Sequence, residues 1–148
     1  MSAAAPAGVR VGVDLVDVGE VADAVGWFGD RYVTRIYTDH EIVCCRRPGG
    51  DGPDGPGATF AMESLAARFA AKEAVLKVLR PVDHQPPWRS IELHRMTGGW
   101  CEIRLSGQAA ARAAEEGIDG FAVSLTHESA LAAAVVVAWS APNEEDEG

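Results

Sequence analysis

The chain has 148 residues, a length that suits one globular domain with a buried core. Of these residues 47% are hydrophobic and 24% are charged, and no apolar run reaches the ~18 residues needed to span a bilayer. The formal net charge of −9 argues against non-specific nucleic-acid binding, which requires a basic surface. Residues 1–8 lack the apolar core of a signal peptide. Three cysteines without CxxC spacing indicate ordinary thiols, so we expect a cytoplasmic protein.

The first part of the chain predicts one strand followed by helices. Apolar residues occupy alternate positions in 9–15, which is typical of a half-buried strand. Residues 17–28 predict a short helix, and residues 31–45 predict a segment that is helical in part. Thr38 and Glu41 have the spacing of a capping box, so a helix is expected to begin at this point.

Residues 62–79 predict the strongest helix of the chain, which Pro81 follows closely. Its apolar stripe consists of Leu65, Phe69, Leu76 and Leu79. Beyond it, alternating apolar residues in 91–93 and 101–105 flank Thr97-Gly98-Gly99 and predict a hairpin.

The rest of the chain predicts one more helix and two more strands. Residues 108–116 are rich in alanine and precede Gly117, which favours a helix closed by glycine. Residues 121–125 and 131–139 predict two strands. The order β-α-α-α-β-β-α-β-β indicates an α+β fold with a mostly antiparallel sheet packed by helices.

Three segments fall outside this pattern. Residues 48–57 contain only Pro, Gly and Asp, so we expect a mobile loop inside the domain. Residues 1–8 and the acidic end 140–148 are expected to be disordered tails. The folded domain is therefore predicted to span residues 9–139.

Polar residues that structure alone does not require occur in three places, the first of which is Asp14. One interpretation is a solvent-facing strand carboxylate or a helix cap. The other is an oxygen ligand for Mg²⁺, a cation that favours carboxylates together with water and phosphate oxygens.

The second place is the 68–77 part of the long helix. Lys72 falls inside the apolar stripe, where a charge is unusual unless it is paired or lies at a site. Glu73 and Lys77 have i,i+4 spacing, so surface ion pairs along the helix are one interpretation. The alternative is that Glu73 joins Asp14 on a metal ion while Arg68 and Lys77 hold phosphates.

The third place is Ser124-Leu125-Thr126-His127-Glu128, where a strand runs into a turn. His127 is either a structural turn residue or a group that donates to a phosphate or accepts a proton. The GxSxG elbow, the Walker A loop and the GxGxxG fingerprint do not occur in the sequence. Serine hydrolase chemistry, ordinary nucleotide hydrolysis and Rossmann dehydrogenation therefore lose support.

Together these segments resemble the holo-acyl-carrier-protein synthases, the small type of 4′-phosphopantetheinyl transferase. The resemblance rests on Gly12-Val13-Asp14, on the RFAAKEA string of residues 68–74 with Lys77, and on residues 124–127 before the last strand. It implies a transferase that moves phosphopantetheine from coenzyme A to a serine of an apo acyl or peptidyl carrier protein. It also implies a homotrimer with coenzyme A in the clefts between subunits.

The resemblance further implies roles for individual residues. Asp14 and Glu73 match the Mg²⁺ ligands, and Glu73, Lys77 and His127 are the expected catalytic residues. Residues expected to bind the coenzyme are Arg68, Lys72, Lys77 and His127. The general base is either Glu73, acting through metal-bound water, or His127, with Glu73 preferred.

The chain departs from the family pattern in the predicted helix of residues 17–28, which the resemblance implies binds the carrier. The family carries an arginine there, whereas this chain has Glu20, with Asp17 and Asp23 nearby. Like charges oppose association, which favours a carrier less acidic than that of fatty-acid synthesis, such as a domain of a polyketide or peptide synthase. This departure also leaves open a silent relative that acts as a docking or scaffold module. The third alternative is an unrelated Mg²⁺-dependent phosphotransferase.

Overall fold

The computed structural model describes residues 8–49 and 59–141. The strands are β1 (Val9–Asp17), β2 (Arg46–Arg47), β3 (Thr59–Phe60), β4 (Ile91–Arg95), β5 (Cys101–Leu105), β6 (Gly120–Glu128) and β7 (Leu131–Trp139). The α-helices are α1 (Val18–Phe28), α2 (Asp30–Ile36), α3 (Asp39–Cys45), α4 (Met62–Leu79) and α5 (Gly107–Glu115). The predicted α+β class is confirmed. The tails predicted at 1–8 and 140–148, and the loop predicted at 48–57, lie mostly outside the described residues.

The largest sheet is antiparallel, with strand order β1-β7-β6. In its register Asp14 pairs with Ala134, which in turn pairs with Leu125. Helix α4 packs against one face of this sheet. Residues at even positions of β1 and β7 point to that helix, so Gly12, Asp14 and Val136 lie on its side.

The alternation in β1 predicts a strand with one buried face. The face that is buried is the one with fewer apolar side chains. The side chains of Val9, Val11, Val13 and Leu15 are all more than half exposed. The opposite face contains Gly12 and Val16, which are buried under α4. The exposed face of the sheet continues across β7 through Leu131, Val135 and Trp139, and is an apolar surface that this subunit alone does not cover.

The strands do not form the single sheet that the sequence indicates. β4 and β5 form a separate two-stranded hairpin, and β2 and β3 pair as two residues each. The predicted hairpin is confirmed, with Arg95 opposite Cys101 and the turn at residues 96–100. Because alternation specifies a strand but not its partner, the division into three sheets was not predictable from the pattern.

The segment predicted to be partly helical contains two short helices, α2 and α3. Tyr37 is extended between them, and α3 begins at the predicted capping box, in which Thr38 and Glu41 hydrogen-bond each other's backbone. Helix α2 packs against the 3₁₀ turn of residues 88–90, and α3 packs against strand β4. This arrangement places the Glu41 side chain in the core.

Helix α4 is the centre of the core and is buried around most of its circumference, whereas the sequence predicts a single apolar stripe. Its small residues make this possible, because they let neighbouring backbones approach closely: Ala66, Ala67, Ala70, Ala71 and Ala74 are all buried. The helix ends with Arg80 in the left-handed conformation, just before Pro81. No helix in the described part of the chain is long and apolar enough to cross a membrane.

Candidate functional site

The first polar cluster joins β1 to the C-terminal half of α4. The Lys77 Nζ atom lies 3.2 Å from Asp14 Oδ1 and donates a hydrogen bond of 2.6 Å to the Val13 carbonyl oxygen. Glu73 lies one helical turn before Lys77 and interacts electrostatically with both Asp14 and Lys77. Both predicted metal ligands, Asp14 and Glu73, therefore lie close to the predicted catalytic Lys77.

Glu73 is held in an environment that disfavours its charged form. Partial burial raises the pKa of its carboxyl, the negative charge of Asp14 raises it further, and Lys77 acts in the opposite direction. Two carboxylates that repel each other in this way form a set of hard oxygen donors suited to a divalent cation. In residues 8–49 and 59–141 no group of three His, Cys, Asp or Glu side chains is placed to hold a metal ion.

Gly12 sets the distance between β1 and α4 at this cluster. A Cβ atom built on Gly12 would lie 2.2 Å from the Ala74 carbonyl oxygen and 3.3 Å from the Lys77 Cβ atom. Only glycine fits so close an approach of strand and helix backbones. Asp14, two residues further along the strand, faces the same helix and meets Lys77.

The second polar feature is a cavity of about 340 Å³ beside the N-terminal half of α4. Arg68, Arg95, Trp100, Cys101 and His127 contribute to its lining. Two guanidinium groups in one cavity favour an anionic ligand, and phosphate groups suit the planar fork of arginine. The predicted residues Arg68 and His127 therefore share one site.

Arg68 is held in this cavity with hydrogen-bonding capacity to spare. Its side chain is 8% exposed, and Nη1 donates a long hydrogen bond of 3.4 Å to the Ser64 carbonyl oxygen. Its Nε atom has no partner within the described residues. An arginine that is buried to this extent and has no carboxylate partner among residues 8–49 and 59–141 is suited to an anion that enters the cavity.

Lys72 does not belong to either feature, which corrects its predicted role in binding the coenzyme. Its side chain is fully buried, and Nζ lies 2.6 Å from Glu41 Oε1 and donates to the carbonyl oxygens of Trp88 and Ile91. Burial lowers the pKa of this amine, while Glu41 opposes that change. The Lys72 charge, which the sequence predicts inside the apolar stripe, is thus one half of a buried ion pair. It is not accessible to a ligand.

The cluster and the cavity lie on different parts of α4, and Asp14, Glu73 and Lys77 do not line the cavity. The sequence indicates one site, whereas within a single subunit the described residues form two. Arg95 and Trp100 of the hairpin were not singled out as binding residues. The sequence signal that could have identified them is an arginine at the end of a predicted strand and a tryptophan directly after a glycine turn.

A further cavity of about 510 Å³ lies among α1, α2 and α4. Exposed Arg31 and Arg35 border it together with Phe28, Tyr32 and Trp88. These two arginines lie next to the acidic residues at positions 17–23, on which the predicted charge of the carrier rests. The surface next to α1 is therefore less uniformly acidic than the sequence of that helix indicates.

The fold and its polar features define an α+β domain in which a pair of carboxylates and a pair of guanidinium groups lie beside one central helix, which contributes Glu73 and Arg68. A model of the 4′-phosphopantetheinyl transferase superfamily matches residues 10–140. The chain therefore belongs to this superfamily. It is an enzyme of the holo-acyl-carrier-protein synthase type, as the sequence motifs predicted.

Relatives of known name agree with this assignment. A holo-[acyl-carrier-protein] synthase of Chloroflexus aurantiacus is 41% identical over 140 residues, covering 87% of this chain and 96% of the relative. One from Desulforudis audaxviator is 38% identical, covering 86% and 90%. Among solved structures, the Helicobacter pylori holo-[acyl-carrier-protein] synthase in complex with coenzyme A has 25% sequence identity to this chain. Its TM-score is 0.70, and the match covers 87% of this chain and 99% of that one.

Proposed function

We propose that this enzyme transfers 4′-phosphopantetheine from coenzyme A to a serine hydroxyl of an apo acyl or peptidyl carrier protein. The products are the holo carrier and 3′,5′-adenosine bisphosphate. The observation that carries the proposal is the cluster of Asp14, Glu73 and Lys77, which combines two carboxylates with a cation. The Helicobacter pylori relative that was crystallised with coenzyme A supports the choice of donor.

Asp14 and Glu73 are the residues that would hold Mg²⁺. Their oxygen donors fit this cation. The negative charge of Asp14 contributes to the raised pKa of Glu73, and a bound divalent cation would reduce the repulsion between the two carboxylates. When bound, Mg²⁺ would neutralise negative charge on the diphosphate of the donor. Two protein ligands leave room for water and phosphate oxygens, as is usual for magnesium sites.

The remaining residues bind phosphate. Lys77 has a half-exposed side chain beside the two carboxylates. Its ammonium group can therefore approach the diphosphate and stabilise the negative charge that develops on the leaving phosphate. The buried guanidinium of Arg68 and the exposed imidazole of His127 would hold phosphate groups in the cavity. Lys72 has no part in this binding.

The transfer forms a bond from the serine oxygen to the phosphorus on the pantetheine side of the diphosphate. It breaks the bond from that phosphorus to the bridging oxygen, which leaves as part of 3′,5′-adenosine bisphosphate. The serine proton must leave during this step. Glu73, acting through a water molecule, is the preferred base, because its carboxylate belongs to the cluster that would hold the diphosphate. His127 is the alternative base.

We propose that the subunits associate through the exposed sheet face, and the family resemblance implies that they form a homotrimer. Val11 is 64% exposed and Leu15 is 63% exposed, and an apolar surface of this kind favours association. Association would also allow the cavity of one subunit to face the carboxylate cluster of its neighbour. We expect Val11→Arg to convert the trimer to monomers and to abolish transfer, with light scattering and an activity assay as the measurements. A trimer that survives this change would contradict the role of this face.

The charge of helix α1 supports a carrier that is less acidic than a fatty-acid carrier, such as a domain of a polyketide or peptide synthase. Glu20 is exposed, whereas the Asp17 carboxylate caps the helix by accepting a hydrogen bond of 3.2 Å from the Glu20 backbone. Glu20→Arg should raise the rate with an acidic carrier and leave a neutral carrier little changed. An acidic carrier that gains nothing from this substitution would refute the inference.

A cytoplasmic setting is part of the same proposal. All three cysteines are free thiols, which is consistent with a reducing compartment.

The decisive experiment is intact-mass spectrometry of a panel of apo carriers after incubation with the enzyme, coenzyme A and Mg²⁺. We expect one phosphopantetheine on at least one carrier, lost in Glu73→Ala and retained in Glu115→Ala, which removes an exposed carboxylate of α5. Omitting Mg²⁺ should prevent the gain. No gain on any carrier, from folded protein that binds coenzyme A, would instead favour a silent docking module.

A further inference from the structure

The hairpin between β4 and β5 holds a tryptophan at the rim of the arginine cavity. Its five-residue turn is closed by hydrogen bonds from Met96 N to Trp100 O (2.7 Å) and from Gly99 N to Met96 O (2.9 Å). Trp100 lines the cavity together with Arg68 and Arg95, yet 59% of its surface is exposed. Core packing therefore does not account for this indole.

The turn is shaped to hold the indole in place. The six-membered ring of Trp100 lies directly over Gly98, so that a Cβ atom on Gly98 would lie 1.8 Å from Cζ3 and 2.5 Å from Cε3. Gly99 has a φ of +96°, which other residues rarely adopt. These two glycines let the ring fold back over the turn.

A large exposed aromatic face next to two guanidinium groups matches a ligand with a planar ring near phosphate groups. Aromatic side chains bind nucleobases by stacking, and the arginines supply the charge for the adjacent phosphates. A flexible pantetheine chain would not require a flat surface. The combination therefore points to the nucleotide end of the donor.

We infer that Trp100, held over Gly98 at the rim of the arginine cavity, is the stacking surface for the purine base of the donor and thereby selects for a nucleotide-bearing donor. This inference rests on the proposed function, because coenzyme A is the donor proposed there. It adds a binding role for a residue outside the carboxylate cluster.

The test compares ligands with and without the base. Calorimetry would measure the Kd of coenzyme A, of 3′,5′-adenosine bisphosphate and of 4′-phosphopantetheine, which lacks the nucleoside. Trp100→Ala should weaken the first two about tenfold or more and leave the third unchanged, since stacking on one base is lost. Trp100→Phe should keep most of the affinity, and Gly98→Ala should resemble Trp100→Ala because its Cβ displaces the ring.

Two controls keep the result interpretable. Trp27→Ala removes a tryptophan that is 77% exposed and does not line the cavity, so all three affinities should stay at wild-type values. Quenching of tryptophan emission by adenosine bisphosphate should be present in the wild type and strongly reduced in Trp100→Phe.

Unchanged nucleotide affinity in Trp100→Ala would overturn the inference, as would equal weakening of all three ligands. A wild-type enzyme that binds none of the three would overturn the proposed function as well. Failure of the inference and failure of the proposed function are thus distinguishable.

Discussion

Helix α4 carries two lysine–carboxylate ion pairs with opposite surroundings. Lys72 and Glu41 are 2.6 Å apart, and both side chains have no exposed surface. Lys77 and Asp14 are 3.2 Å apart, and their side chains are 53% and 19% exposed. The two lysines are five residues apart, which corresponds to about 7.5 Å along the helix and a different side of it.

The difference shows that burial determines what a lysine can do. The Lys72 amine is saturated, because it donates to two carbonyl oxygens as well as to Glu41. It therefore links α4 to α3, to the 3₁₀ turn of residues 88–90 and to the start of β4. Lys77 can exchange its partner for a ligand, since breaking a half-exposed pair costs little. One pair holds the helix in place and the other is available for chemistry.

The largest effect on stability is expected from Lys72→Ala. The substitution leaves the Glu41 carboxylate buried without its cation, which should lower the free energy of unfolding by about 3–5 kcal/mol. Urea denaturation would measure this loss. The double variant Glu41→Gln with Lys72→Met should recover part of it, because the glutamine oxygen can still complete the capping box and the buried charges of this pair are gone. The recovery is incomplete because the Leu93 backbone N–H loses its acceptor, the second Glu41 oxygen. A double variant as unstable as Lys72→Ala would show that packing, not charge, explains the loss.

The next largest effect is expected at the strand that carries Asp14. Gly12→Ala places a Cβ 2.2 Å from the Ala74 carbonyl oxygen, so β1 must move away from α4 at a cost of about 1–3 kcal/mol. Transfer activity should fall as well, because Asp14 moves with the strand.

Gly26→Ala is the matched control for that substitution. Its Cβ meets no heavy atom within 4 Å, and helix α1 should gain about 0.5–1 kcal/mol from the change. Thermal unfolding and the carrier assay would provide both readouts. Equal behaviour of the two alanine variants would refute the close approach at Gly12.

A smaller effect on stability is expected for Lys77→Met. Because this pair is half-exposed, the free energy of unfolding should change by less than about 1 kcal/mol, while turnover falls at least tenfold through the loss of a cation beside the diphosphate. Denaturation and initial rates measured on the same preparation would separate these contributions. A variant that loses stability but keeps its rate would place Lys77 with Lys72 as a structural lysine.

The contrast between buried and exposed groups also predicts that the adjacent cysteines Cys44 and Cys45 differ in reactivity. This prediction requires no substitution and therefore no change in stability. Burial raises the pKa of the Cys45 thiol to about 11, so at pH 8 only about one molecule in a thousand carries the reactive thiolate there. Iodoacetamide should therefore modify exposed Cys44 and spare Cys45. Peptide mapping by mass spectrometry would locate the label, and rapid labelling of Cys45 at pH 8 in folded protein would contradict the buried position.

The sequence by itself predicted the elements whose signals are local. The capping box of Thr38 and Glu41, the hairpin around the glycine turn and the long helix that Pro81 follows depend on neighbours a few residues away, and all three are present. The superfamily was predictable too, because its motifs lie in short continuous segments. The proximity of Asp14, Glu73 and Lys77 followed from that resemblance.

Tertiary structure alone decided which face of each element is buried and which charges meet. The valines of β1 are exposed because α4 packs on the opposite face, which period-two alternation cannot distinguish. Lys72 became structural because Glu41, 31 positions earlier in the chain, reaches it in the core. Local patterns specify backbone conformation, whereas the partners of a charged side chain depend on contacts between distant segments, which no single segment encodes.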